Sequence, residues 1–145
     1  MLDTVVTALT GLLGGIVVGL QSPIAGAMSQ RIGGASCSLV VHLGGTVLSA
    51  LLVLLRGGEQ LQNWRGLPWY MLASGVFGVV LYLTLSHTVP RLGATSAIAL
   101  VVVGQLLAGM VVDQLGLFGI PVRPADLSRL AAVVLLIAGG YLAVR

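Results

Sequence analysis

Lysine is absent from this chain and carboxylates are scarce. All seven basic residues are arginine, four residues are acidic, and charged residues make up 8% of the 145. A soluble domain carries about 25% charged residues, because a water-facing surface needs them. So little charge cannot cover a globule in water, and most of this surface must therefore face lipid. The hydrophobic share of 57% and the mean hydropathy of +1.09 point the same way. The net charge of +3 does not mark a nucleic-acid binder. Its arginines stand singly and form no basic patch, so no nucleic-acid partner is expected.

Other absences narrow the chemistry. The lone cysteine, Cys37, can form no intrachain disulfide and reads as a small apolar residue. There is no Cys/His metal cluster, no Gly-rich loop with a lysine for nucleotide, no paired carboxylates and no serine in a nucleophile-elbow context. The sequence predicts no enzyme, no metal and no cofactor. Carboxylate-driven proton exchange is not written here either, since no Asp or Glu falls at mid-membrane depth. Ala25-Gly26-Ala27 imitates a signal-peptidase site, but the stretch before it carries Asp3 and no Lys or Arg. The first helix is therefore expected to stay.

What the chain has is apolar length and glycine, 21 of 145 residues. Crossing a hydrocarbon core takes about 20 residues of helix. Five segments qualify: 4–32, 36–55, 68–87, 93–115 and 127–144. The predicted fold is all-α, a single five-helix transmembrane domain over 1–145. Gly33-Gly34 is expected to separate the first two helices, and Thr88-Val89-Pro90-Arg91 the third and fourth. Such short links imply antiparallel neighbours. Trp64, Trp69 and Tyr70 read as an interfacial aromatic anchor, and Asp126 as the N-cap of the last helix.

In the first helix, every fourth residue from Thr7 to Ala27 is small or proline, through Gly11, Gly15, Gly19 and Pro23. Such a stripe lets backbones approach where packing drives association in lipid. It predicts a packing seam, with a hinge where the apolar run breaks at Gln21-Ser22-Pro23. Five spans would place the two chain ends on opposite sides. Arg56, Arg65, Arg123 and Arg129 then share one side, and Arg31, Arg91 and Arg145 the other. The positive-inside rule needs an excess. This near balance fits either a weak single orientation or insertion both ways, with antiparallel self-pairing.

Polar groups inside the hydrocarbon are costly and are the best site candidates. At ~1.5 Å per residue, Gln21 lies about 15 Å and Gln105 about 20 Å from the Arg31/Arg91 side, both central. Each amide has two readings, substrate contact or hydrogen bond between helices. Small-polar stripes at i, i+4 spacing run through Ser38, His42, Thr46 and Ala50, through Ser74, Gly78, Tyr82 and Ser86, and through Ser96, Gly104 and Ala108. Such stripes are packing seams, but His42 and Tyr82 interrupt them with bulkier polar groups, which suits a cavity wall. His42 is the one titratable group well inside a span. It reads either as an imidazole donating to a backbone carbonyl or as a coupling group, its reference pKa being near 6.5. His87 is expected at the boundary. Asp113 faces water, pairs with an arginine, or couples.

The stretch GGIVVGLQSPIAGAMSQRIG, together with PWYMLASGVFGVVLYLTLSHTVPRLGATSAIALVVVGQLLAGMVVDQLGLFG, resembles the YdcZ-like family of the drug/metabolite transporter superfamily. Its most specific pieces are the Gln ending the glycine stripe, PRLGA, and GQLLAG followed by DQLG. The resemblance implies five-helix units working as antiparallel pairs, made from single, adjacent or fused genes, in a bacterial inner membrane. Gln21, Gln105 and Asp113 match motif positions. Where members often carry Asn four residues after the first Gln, this chain has Ala25. The related small multidrug exporters use a membrane-embedded Glu, whose nearest analogue here is Gln21.

The expected function is a secondary transporter subunit for a small metabolite or drug-like solute. It would work by alternating access as an antiparallel homodimer or with a paired homologous subunit. The expected solute site is Gln21, His42, Tyr82, Ser96 and Gln105, with His42 and Asp113 as candidate coupling groups. A small dual-topology ion channel and a non-transporting membrane scaffold are the alternatives.

Overall fold

The computed structural model describes residues 2–145. In chain order, α1 is Leu2–Ile32, α2 is Gly34–Leu55, α3 is the short Trp69–Leu72, α4 is Gly75–Leu115 and α5 is Leu127–Val144. Two 3₁₀ turns, Leu61–Gly66 and Leu117–Gly119, lie in the loops, and no strand occurs among the described residues. The apolar stretch Trp69–Leu115 runs to 47 residues. As helix that is about 70 Å, roughly twice what a hydrocarbon core takes. It therefore holds two spans, divided where Gly93 leaves helical geometry at φ 79° and ψ 165°. The protein is an all-α membrane protein, and leucine and valine cover its outside because lipid is the solvent.

The breaks fall one or more residues from where the sequence places them. Gly33 alone separates α1 from α2, at φ 86° and ψ 153°, while Gly34 is already helical. Gly33 closes one helix and opens the next: its N–H donates to the Ser29 carbonyl and its own carbonyl accepts from Cys37 N–H, both at 2.9 Å. Thr88-Val89-Pro90-Arg91 is no link but helix, and the break waits for Gly93, whose positive φ an L side chain rarely adopts. The expected interruption at Gln21-Ser22-Pro23 is likewise absent, since α1 runs unbroken through Pro23. Pro23 withholds the N–H that the Gly19 carbonyl would accept. One residue before it, the Ser22 hydroxyl donates to the Val18 carbonyl at 2.8 Å, a second back-bond on the same turn.

The chain divides into two compact units, Met1–Pro90 and Arg91–Arg145. In the first, the C-terminal half of α1, the N-terminal half of α2 and the 83–89 turns of α4 pack together through small residues. Ser22, Ala25, Gly26 and Ser29 of α1 are buried, with Cys37 and Ser38 of α2 and Leu85 of α4. Their size lets backbones meet: Cys37 Sγ donates to the Ala25 carbonyl at 3.3 Å. A Cβ on Gly26 would stand 2.7 Å from Val89 Cγ1, and one on Gly34 would stand 2.6 Å from Ser86 Oγ.

The seam of α1 inside the chain is thus 22/25/26/29 rather than the glycine stripe. Around Gly11, Gly15 and Gly19 a Cβ would meet nothing within 4 Å, and residues 2–18 are all exposed. Yet at ~100° per residue, Gly11 and Gly15 fall within roughly 30° of the mean direction of Ser22, Ala25, Gly26 and Ser29. One continuous small-residue face runs along α1, packed over its second half and bare over its first.

In the second unit, residues 94–115 of α4 meet α5 where Gly140 lies against Val103, a Cβ there standing 3.4 Å from Val103 Cγ2, and where the Ser96 hydroxyl donates to the Ala143 carbonyl. The connecting loop is clasped to the end of α4. Arg123 N–H donates to the Asp113 carbonyl at 2.9 Å, and Ala125 N–H to Gln114 Oε1 at 2.8 Å. Asp126 caps α5 as the sequence predicts, its Oδ1 accepting from Arg129 N–H at 2.8 Å.

Candidate functional site

The i, i+4 stripe of α2 forms one wall of a cavity of about 760 Å³ in the first unit. His42, Gly45, Thr46 and Ser49 line its polar end, and Ala50, Val53, Leu54 and Leu61 its apolar end. Gln21 of α1 and Tyr82 of α4 face the same space. Three of the five residues expected to bind solute are therefore brought together.

His42 organises the polar end. Its Nδ1 lies 2.6 Å from the Ser38 carbonyl oxygen and 3.2 Å from Ser38 Oγ. A carbonyl only accepts, so Nδ1 carries the proton, and in the neutral ring Nε2 is left as an acceptor. The imidazole meets the Tyr82 ring edge-on, centroids 5.4 Å apart at 79°. Beyond it the ring rests on bare backbone, because a Cβ on Gly78 would stand 2.6 Å from Nε2. The stripe carrying Gly78, Tyr82 and Ser86 thus faces α2 and α1, and glycine at 78 makes room for the imidazole.

Most hydroxyls in this unit are spoken for. Ser29 donates to the Gly26 carbonyl, Thr46 to His42, Thr84 to Val80 and Thr88 to Thr84, at 2.7–3.0 Å. No buried side-chain nitrogen or oxygen among the described residues lacks a partner. Against that background the Gln21 amide, His42 Nε2 and the Ser49 and Tyr82 hydroxyls make no hydrogen bond among the described residues, and all four belong to residues lining the cavity. No Asp, Glu, Lys or Arg lines the cavity.

The remaining expected residues lie in the second unit. Ser96 is buried, and its hydroxyl donates to the Ala143 carbonyl, so it pins residues 94–115 to α5. Its donor is spent on packing rather than offered to a ligand. Gln105 lines a smaller cavity of about 250 Å³, with Asp113 and Arg129 along the same wall. There Arg129 Nη1 donates to Asp113 Oδ2 at 3.1 Å and to the Arg123 carbonyl at 3.3 Å. Of the sequence readings for Asp113, pairing with an arginine is the one observed. Ser38 and Gly78 read in the sequence only as stripe members, and the structure gives them further roles, Ser38 as the group that sets the His42 tautomer and Gly78 as its seat. Their i, i+4 and cross-helix spacing was the available signal.

No curated protein and no solved structure matches the chain. It does match, over residues 6–142, the family described as "Putative inner membrane exporter, YdcZ". With nearly its whole length inside that match, and four stretches of helix long and apolar enough to cross a bilayer, the chain belongs to this family of inner-membrane transporters.

Proposed function

We propose that the protein is one subunit of a secondary transporter that moves a small metabolite or drug-like solute out across the inner membrane. It works by alternating access, paired with an antiparallel second copy or a homologous subunit. The observation that carries this reading is the cavity of the first unit. There the Gln21 amide, His42 Nε2 and the Ser49 and Tyr82 hydroxyls, on residues that line one space, make no hydrogen bond among the described residues, while the hydroxyls of Ser29, Thr46, Thr84 and Thr88 are bonded to backbone carbonyls. In hydrocarbon an unpaired polar group is costly, so groups kept unpaired around one space are available to something that enters it. Gln105, also without a hydrogen bond among the described residues, is proposed as a further polar contact for solute within the second unit.

Pairing is supported by the bare half of the α1 face. A small-residue seam packed by this chain at Ser22–Ser29 continues, unoccupied, past Gly15 and Gly11. A second subunit seated there would use the same close-approach packing that α2 and α4 use further along. Antiparallel pairing is supported by the near-even split of arginines between the two sides, and export by the family's description.

Counterflow in proteoliposomes tests the reading. A carrier preloaded with a solute exchanges it saturably for labelled solute outside, and Gln21→Leu abolishes this while the assembly persists. A scaffold tolerates Gln21→Leu. A channel gives uncoupled flux and single-channel conductance, and either of these two results would overturn the proposal.

A further inference from the structure

The first-unit cavity also carries information about what it accepts. We infer that it selects an electroneutral solute with an apolar body and a hydrogen-bond-donating head, an alcohol, phenol or amide N–H, received at His42 Nε2. This rests on the cavity being the solute site, and deepens that reading by naming the class of solute.

The wall of α2 grades along its length. From His42 through Thr46 and Ser49 it is polar, and from Ala50 through Val53 to Leu54 it is apolar. That gradient spans about 18 Å of helix, the length of a small amphiphile rather than of an ion. A volume of about 760 Å³ lies in the range of sites for drug-sized molecules.

The polar end has a fixed sense. The proton of the imidazole is committed to Nδ1 by the Ser38 carbonyl at 2.6 Å, so Nε2 offers a lone pair. The Thr46 hydroxyl proton is committed to the His42 carbonyl at 2.7 Å, so the oxygen of this lining residue is left as an acceptor. Two acceptors held in place this way favour a donating head. The Gln21 amide, free in both senses, can take the head's own lone pair.

Charge is refused at the same place. A carboxylate would find no arginine or lysine on the lining, and an ammonium no carboxylate to neutralise it. Either ion would leave water for a low-dielectric space without a counter-charge. The Tyr82 and His42 rings supply faces and edges for an aromatic body instead.

Four probes sharing one body separate these features: 4-butylphenol, its methyl ether, 4-butylbenzoate and 4-butylbenzylammonium. The protein, ring-¹⁵N-labelled at histidine, is titrated in nanodiscs with empty nanodiscs as the partition control. The phenol is expected to shift the His42 Nε2 resonance saturably. The ether and both ions should bind at least tenfold more weakly and leave that resonance in place. Gly78→Ala, which drives a Cβ to 2.6 Å from Nε2, should weaken phenol binding at least tenfold. His42→Asn and His42→Phe should do the same, helicity by circular dichroism deciding which of the three is folded and therefore read. Equal binding of the ether, or tighter binding of either ion, overturns the inference. Phenol selectivity without any counterflow would sink the transporter reading alone. Counterflow of charged solutes only would sink this inference and leave the transporter reading standing.

Discussion

The side chain of Gln30 fills the gap that Pro90 opens at Ser86. In a continuous helix the carbonyl of residue 86 accepts from the N–H of residue 90, but proline has none. Gln30 Nε2, from α1, donates to that carbonyl at 3.3 Å instead. Pro90 sits inside α4 without ending it, and the helix continues to Gly93. The bond also ties the end of α1 to α4, beside Gly34 and its contact with Ser86.

Gln30→Leu is expected to orphan the Ser86 carbonyl and destabilise the first unit by about 1–3 kcal/mol. Restoring the backbone donor with Pro90→Ala should recover most of this, because an alanine N–H can bond the same carbonyl. Thermal unfolding in detergent of the two single variants and the double variant gives the coupling. Additive effects would show that Gln30 serves some other end.

The two halves of the α1 face are expected to respond oppositely to bulk. Gly26→Val collides with the Val89 side chain, and Gly34→Ala with Ser86, so both should cost about 1–3 kcal/mol of subunit stability. Gly15→Ile meets nothing within the chain. It should leave subunit unfolding unchanged and weaken self-association at least tenfold, read by fluorescence energy transfer between labelled copies in liposomes. Unchanged association would remove Gly15 from the interface.

Much of this was legible in the sequence, and what escaped did so for physical reasons. The stripes through His42 and Tyr82 were readable because i, i+4 spacing shares a helix face whatever the tertiary context, and they meet at 5.4 Å. The extent of α4 was not readable. A proline argues for a break locally, yet α4 runs through Pro90, where Gln30, 56 residues from Ser86, supplies a donor to the freed carbonyl. The glycine stripe marked the right face of α1, but spacing cannot say which stretch the chain itself covers. Ser96 looked like a polar site residue because its acceptor, the Ala143 carbonyl, lies on α5, and a local pattern does not reveal that this helix packs beside Ser96.

Asp126 and Asp113 hold the same loop by different means. Asp126→Ala removes the cap of α5 and should cost about 0.5–2 kcal/mol, seen first as faster amide exchange at Leu127–Arg129. Asp113→Asn leaves the backbone bond to Arg123 intact and weakens a pair whose side chains are about one-third exposed, 34% and 35%. Its cost should be about 1 kcal/mol or less. A larger loss of transport than of stability in Asp113→Asn would return this carboxylate to the candidate coupling groups.

On the proposed five-span topology four arginines fall on one side and three on the other, and a small charge bias should tip the orientation. Two lysines added to the 56–67 loop should fix the chain with that loop cytoplasmic, and two added beside Arg31 should fix it the other way. Each variant alone should then lose transport, because an antiparallel pair needs both orientations. Co-expression of the two should restore it, with reporter tags confirming opposite insertion. Full activity of either biased variant alone would mean that the working unit is parallel or single. In that event the bare half of the α1 face would belong to lipid, and Gly11 and Gly15 would tolerate large residues without loss of transport.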